Sequence, residues 1–322
     1  MKKVKLISAI LSLILLLSCG VMAILFLDRN IKNAKVVTTI FPIYDIVRNL
    51  MGSDEDVVML QSGSSDVHSY EPTSKDIMTM SKSKLFICVG GESDSWSEDV
   101  LKTINNDELK VLRLFESVEK LEESNNGIIQ TEPHNHNEEH HHSYDEHIWT
   151  SVKNMMLMTE SVRNSLVEIY DDKKDIINQN FDIYMGKLNN LESEYEQVCA
   201  NKDITMIIAD RFPFLYLTND YNIKYNALFS TCSSESEATT DSIVKIIDKI
   251  NEFEVKHIIV LENSQNFKTA QSIINDKKCY SENIEILTLN SCQAVVMKDV
   301  ESIGYLDIMK RNLEVLKKVL EV

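Results

Sequence analysis

The sequence contains no CxxC pair, no HExxH or GxSxG motif and no nucleophile set beside an evident base. A dithiol redox centre, a zinc knuckle and the common hydrolase arrangements are therefore without support. Cations are scarce as well. The 33 Lys plus Arg face 50 Asp plus Glu, for a formal charge of −17. A nucleic-acid partner, whose phosphates need clustered positive charge, is excluded on that balance, whereas the negative field would attract cations. Gly90-Gly91-Glu92-Ser93-Asp94 lacks the Lys and the spacing of a P-loop and reads as a strand-to-helix turn. What is present is ordinary globular composition, 43% hydrophobic and 26% charged over 322 residues, enough for one large domain or two medium ones. Histidine is the unevenly placed residue. Six of the eight, His134, His136, His140, His141, His142 and His147, fall within fourteen positions.

Lys2, Lys3 and Lys5 precede an apolar run from Leu6 to Leu27, the layout of an export signal. Within it Leu16-Leu17-Ser18-Cys19-Gly20 resembles a bacterial lipobox, in which cleavage before Cys19 leaves a lipidated N-terminal cysteine. An uncleaved signal anchor is the alternative, because the run is long enough to span a bilayer. Either reading places the rest of the chain outside the cytoplasm, attached to the outer face of the membrane. In that compartment disulfides form, and the remaining cysteines are Cys88, Cys199, Cys232, Cys279 and Cys292.

Short β-rich runs at 36–41, 57–60, 85–89, 204–208, 257–261 and 284–289 alternate with stretches of helical periodicity, the pattern of parallel βαβ units. They fall into two sets, which predicts an α/β protein of two parallel-sheet lobes. Between the sets, Ile177, Phe181, Tyr184, Leu188, Leu191, Tyr195 and Val198 are spaced alternately four and three apart with no proline among them. This predicts one amphipathic helix from Asp172 to Cys199, about 42 Å long at 1.5 Å per residue, rather than a coiled-coil oligomer. Leu306, Met309, Leu313, Leu316 and Leu320 repeat the pattern in a C-terminal helix. The expected division is an anchor and tether at 1–34, a first lobe at 35–171, the long helix at 172–200 and a second lobe at 201–322. Between about 122 and 145 apolar residues nearly vanish, so that stretch is expected to be a mobile loop inserted in the first lobe.

Neutral imidazole is a good ligand for zinc, copper and nickel, while manganese prefers oxygen. The histidine run therefore favours a borderline transition metal, Zn²⁺ ahead of Mn²⁺. A run such as His134, His136, His140, His141 and His142 has no fixed geometry and suits collection of metal more than tight retention. Two histidines stand in more ordered settings: His68 in Asp66-Val67-His68-Ser69-Tyr70-Glu71-Pro72 and His147 in Asp145-Glu146-His147-Ile148-Trp149. His257, on an apolar run, reads as a structural strand histidine.

These two stretches resemble the patterns Asp-Pro-His-x-Tyr-Glu-Pro and Asp-Pro-His-x-Trp of the zinc and manganese solute-binding proteins of bacterial ABC transporters. The resemblance runs from about Val36 to the C-terminus, with Val36-Val37-Thr38-Thr39-Ile40-Phe41-Pro42 similar to the first strand, the long helix to the rigid linker and the His-rich insertion to that of zinc importers. It implies two lobes around a metal cleft, His68 and His147 as ligands, and an ABC permease as partner. The second lobe departs from the pattern. Where the family places a ligand in ligand-x-Ala-Phe-x-Tyr, this chain has Arg211-Phe212-Pro213-Phe214-Leu215-Tyr216, and arginine is no metal ligand. Asp210 is the nearest replacement, or else a salt-bridge partner of Arg211 or another residue. Near the last ligand position, Leu289-Asn290-Ser291-Cys292-Gln293 offers only Cys292, as a zinc thiolate or as the partner of Cys232 in a disulfide. Water, Glu235, Glu237 or a loop histidine could complete the site.

The resulting expectation is a monomeric, extracytoplasmic zinc-binding lipoprotein that captures the ion and delivers it to a permease, and is not an enzyme. The rival classes are an exported zinc hydrolase, which needs a general base beside the metal, and a surface zinc buffer or adhesin with no permease.

Overall fold

The computed structural model describes residues 34–61, 70–130, 144–200, 202–231, 237–280, 283–300 and 302–321. The first part of the chain runs β1 (Val36–Thr38), α1 (Phe41–Met51), β2 (Val57–Met59), α2 (Ser74–Lys82), β3 (Leu85–Cys88), α3 (Trp96–Thr103) and β4 (Lys110–Arg113). Its strands form a four-stranded parallel sheet in the order β2-β1-β3-β4. There follow β5 (Ile128–Gln130), α4 (Val152–Ile169) and α5 (Lys174–Cys199), and then β6 (Thr205–Arg211), α6 (Leu215–Asp220), β7 (Lys224–Phe229), α7 (Thr240–Phe253), β8 (His257–Leu261), α8 (Phe267–Ile274), β9 (Glu285–Leu289), α9 (Met297–Val300) and α10 (Tyr305–Val319). The second sheet is five-stranded and parallel, ordered β5-β7-β6-β8-β9. Two parallel-sheet α/β lobes with a long connecting helix are thus what the sequence pattern implied.

Each sheet buries both faces, as parallel sheets do, and the period of two along each strand sorts side chains between cores. In β3, Leu85 and Ile87 join the large central core while Phe86 and Cys88 join a smaller outer one with Val37, Met80 and Val100. In β6, Met206 and Ile208 point to the central core, and Ile207 and Ala209 to the second lobe's outer core with Ile258, Val260 and Ile273. The central core is continuous from Val36 and Ile43 of the first lobe, through Met155, Tyr184 and Tyr195 of the two middle helices, to Leu289 and Leu313 of the second. The lobes therefore share one packed interior.

The long helix is the axis of that interior. It spans 26 residues, Lys174–Cys199, so about 39 Å, and a 3₁₀ turn at Asp171–Lys173 takes up the start of the predicted span. Ile177, Tyr184, Leu188, Leu191, Tyr195 and Val198 are buried and Phe181 is half-buried, which realises the four-three spacing. Tyr195 donates its hydroxyl to the Met309 carbonyl at 2.7 Å, tying the helix to α10. A polar joint holds its middle. Buried Asp45 of α1 accepts from Arg48 Nε at 2.9 Å, the Tyr184 hydroxyl at 3.1 Å and the Tyr305 N–H at 3.2 Å, while Arg48 donates onward to the Ile303 carbonyl at 3.0 Å. First lobe, strut and C-terminal helix meet at that one carboxylate.

The proposed division at 35–171 needs one correction. β5 belongs by sequence to the first part of the chain, yet Ile128 and Gln130 pair with Ala227 and Phe229 of β7 at the edge of the second lobe's sheet. The chain crosses between lobes before the His-rich stretch and returns at Tyr144, which forms an antiparallel bridge with Glu122. Ordered structure thus reaches well into the 122–145 span read as a loop. The segment 131–143, with His134, His136, His140, His141 and His142, lies outside the described residues, as do Cys19, His68, Cys232 and Glu235. Among the described residues no helix is long and apolar enough to cross a membrane.

Candidate metal site

Residues 145–147 link the Tyr144 bridge to the short 3₁₀ turn Ile148–Thr150 that precedes α4, and all three are buried despite being charged or ionisable. Burial of polar groups costs several kcal/mol unless they are hydrogen-bonded, and each here has partners. Asp145 Oδ1 accepts the backbone N–H of His147 at 2.8 Å and lies 3.2 Å from His147 Nδ1. With Nδ1–H given to the carboxylate, the imidazole takes the tautomer that carries its lone pair on Nε2. This is the carboxylate–histidine arrangement that orients a metal-binding imidazole and raises its basicity. The ring of Trp149 packs against His147 with centroids 5.1 Å apart.

The second lobe holds this segment from the opposite side. Thr231, at the end of β7, places its hydroxyl 3.2 Å from Asp145 Oδ2 and also against the Phe212 carbonyl. The Tyr216 hydroxyl of α6 donates to the Asp145 carbonyl at 2.9 Å and accepts from the Leu121 N–H at 3.1 Å. Trp149 Nε1 donates to the Ser291 carbonyl at 2.7 Å, and the Tyr305 hydroxyl to the Trp149 carbonyl at 2.8 Å. The imidazole therefore sits where the carboxyl ends of both sheets converge, the position at which open α/β sheets place ligands.

Asp210 does not join it. It lies at a register shift of β6 against β7 between Ile208 and Arg211, an irregularity that re-aims side chains. Its Oδ1 accepts from the Arg211 backbone N–H at 2.9 Å and from Asn266 Nδ2 at 2.8 Å; its Oδ2 accepts from the Leu261 N–H at 3.1 Å and from the Ser264 hydroxyl. Both oxygens are committed to knitting the β8–α8 loop to β6, the work of a buttress. Cys292 differs from expectation too. It is a free, fully buried thiol in a left-handed backbone conformation (φ 63°), and burial pushes its pKa far above the ordinary thiol range. Glu237 is exposed. His257 opens β8, half-buried, 3.6 Å from Glu285, as a strand histidine would. Among the described residues no three of His, Cys, Asp or Glu are grouped as a metal cage.

Three further carboxylates shape this region, and the partners of the first two lie far away in the sequence. Glu146 accepts from the Ser93 N–H, a contact across 53 positions. Glu262 holds the Ser291 turn, accepting from its N–H at 2.8 Å and its hydroxyl at 2.6 Å, and burial raises its pKa. Asp94 accepts from the N–H groups of Val89 and Gly90 at 2.7 and 3.1 Å; burial nonetheless pushes its pKa up to about 6.

Residues 36–319 match the family described as zinc-uptake complex component A, periplasmic. The chain belongs to this family. Among its relatives are the zinc-binding lipoprotein AdcA of Streptococcus pneumoniae, 25% identical over 99% of this chain and 61% of the relative, and the high-affinity zinc uptake system protein ZnuA of Bacillus subtilis, 26% identical over 92% of this chain and 90% of the relative. The chain thus spans about three fifths of the first of these. The Zn(II)-bound ZnuA-like domain of S. pneumoniae AdcA superposes with a TM-score of 0.71 at 21% identity, covering 89% of this chain and 98% of that one. The metal-dependent lipoprotein YcdH of B. subtilis gives 0.72 at 22% identity, covering 89% and 99%. At that identity the superpositions speak for the fold.

Proposed function

We propose that this protein is an extracytoplasmic zinc-binding component of an ABC importer, which captures Zn²⁺ between its lobes and passes it to a membrane permease. The observation that carries the reading is the buried His147 imidazole, fixed through Nδ1 by Asp145 so that Nε2 is the ligating nitrogen. Family membership and the names of the relatives, a zinc-binding lipoprotein and a zinc uptake protein, support the same cargo. His68 is the second proposed ligand, on the strength of its motif. With two imidazoles the four-coordinate site is completed by water or a further donor, and the second lobe supplies clamping groups, Thr231, Tyr216 and Ser291.

The histidines of 131–143 are proposed to collect zinc. Their segment leaves β5 at Gln130 and returns at Tyr144, three residues before His147, so metal gathered there is delivered beside the site. A lipid on Cys19, or an uncleaved anchor, keeps the protein at the membrane face within reach of its permease. Imidazole binds metal only when neutral, so affinity should be lower in acid. Zinc titration of the full chain at pH 7.5 and 5.5 tests this; equal affinity at the two values rejects histidine ligation.

A further inference from the structure

Glu146 is a carboxylate with 4% exposure one residue before the proposed ligand, and its partner Ser93 lies on the turn that follows β3. Its two oxygens share the Ser93 N–H, at 3.1 and 3.0 Å, and Oε2 also accepts the Ser93 hydroxyl. The cradle is shaped for it. A Cβ on Gly91 would stand 2.3 Å from Glu146 Oε1, a separation that no side chain tolerates. Gly90 turns the chain at φ 91°, and Asp94, buried beneath, fixes the turn by accepting from Val89 and Gly90. The Gly90–Asp94 turn is thus a rigid socket at the end of β3, and Glu146 is its plug.

The backbone on either side of this plug is tied by the Asp145 N–H to the Leu121 carbonyl at 2.9 Å and by the Asp145 carbonyl to the Tyr216 hydroxyl at 2.9 Å, and the Glu146 side chain adds the anchor to the turn after β3. Residues 145–147 belong to no helix or strand, and among the described residues the Glu146 N–H donates no hydrogen bond. At the corresponding place the motif that this stretch resembles carries proline, whose ring fixes φ and restricts the residue before it. A glutamate has neither restraint in its backbone. We propose that Glu146 is a positioning residue: by locking into the Gly91–Ser93 socket it immobilises the 145–147 backbone and so holds His147 and Asp145 in their ligating geometry. The inference rests on the reading that His147 binds zinc.

Outer-shell groups that orient a ligand are worth roughly 10- to 100-fold in metal affinity. Glu146→Ala should weaken zinc binding by about tenfold, at the low end of that range because Asp145 remains. Gly91→Ala, which expels the carboxylate without touching residue 146, should do the same. Glu146→Gln keeps an oxygen for the Ser93 N–H and should stay near wild type, which separates restraint from the effect of a buried negative charge. In a His147→Ala background Glu146→Ala should cost nothing more, because there is no imidazole left to position; a merely destabilising change would still weaken the residual binding. Titration of these full-length variants with ZnSO₄, alongside their melting temperatures, decides the matter. Wild-type affinity in Glu146→Ala, equal losses in Glu146→Gln and Glu146→Ala, or a loss that persists without His147 would each overturn the inference while leaving the zinc reading intact. A wild-type chain that binds no zinc would overturn both.

Discussion

The two walls of the cleft are built from the same kind of unit, a parallel βα lobe, yet they offer metal very different chemistry. The first-lobe wall presents an imidazole whose orientation, tautomer and backbone are each fixed by a separate contact: Trp149, Asp145 and the Glu146 socket. Among the described residues, the ionisable groups at the matching strand ends of the second-lobe wall are spent on structure. Asp210 is saturated by four donors, Glu262 grips the Ser291 turn and Cys292 is buried as a thiol. Residue type at a strand end is therefore a poor guide to ligation. What separates a ligand from a buttress is whether its lone pairs are already taken, and that is visible only in the hydrogen-bond network.

The comparison can be broken most forcefully at His147. His147→Ala should lower zinc affinity by more than the roughly 100-fold upper range for outer-shell partners, read by competition with a fluorescent chelator. Asp145→Ala should cost about 10- to 100-fold, since the imidazole loses its tautomer lock. On the opposite wall the signs separate. Asp210→Ala leaves buried donors unsatisfied and should destabilise the fold by about 1–3 kcal/mol in urea unfolding, with zinc affinity unchanged; a large affinity loss at preserved stability would restore Asp210 as a ligand. Cys292→Ser should likewise leave affinity unchanged, and the native thiol should resist iodoacetamide.

The smallest effect concerns pH. Asp94 has its folded pKa raised from the ordinary 3.8 to about 6 by burial. A carboxyl raised in this way costs stability when ionised, so the cost is fully present above about pH 6 and is relieved as pH falls toward 4. Asp94→Asn removes that titration, and the difference in unfolding free energy between variant and wild type should shrink over the same window.

Much of the architecture was legible in the chain because it rests on periodicity. The four-three spacing from Ile177 to Val198 specified the strut to within two residues at its start, and β1, β3 and β8 announced themselves as apolar runs. β4 and β7 did not, because Lys110-Val111-Leu112-Arg113 is an edge strand with polar ends and Lys224-Tyr225-Asn226 begins β7 with half its surface exposed. The crossing of β5 to the second sheet was illegible for a deeper reason. Three residues carry no period, and their partners in β7 lie about a hundred positions away. At the proposed site, His147 stands in a motif that the sequence displays, and Asp145 lies two residues from it, within a local window. Glu146 to Ser93, Trp149 to Ser291 and Asp210 to Asn266 are long-range pairs, so the sequence showed which groups could ligate but not which were already engaged.

A crystal structure of the zinc-loaded protein with anomalous scattering at the zinc edge tests the central claim most directly. The account predicts an anomalous peak about 2.0–2.1 Å from His147 Nε2, with Nδ1 still on Asp145. A peak bound by Asp210 or Cys292 and remote from His147, or one on Nδ1, would contradict it.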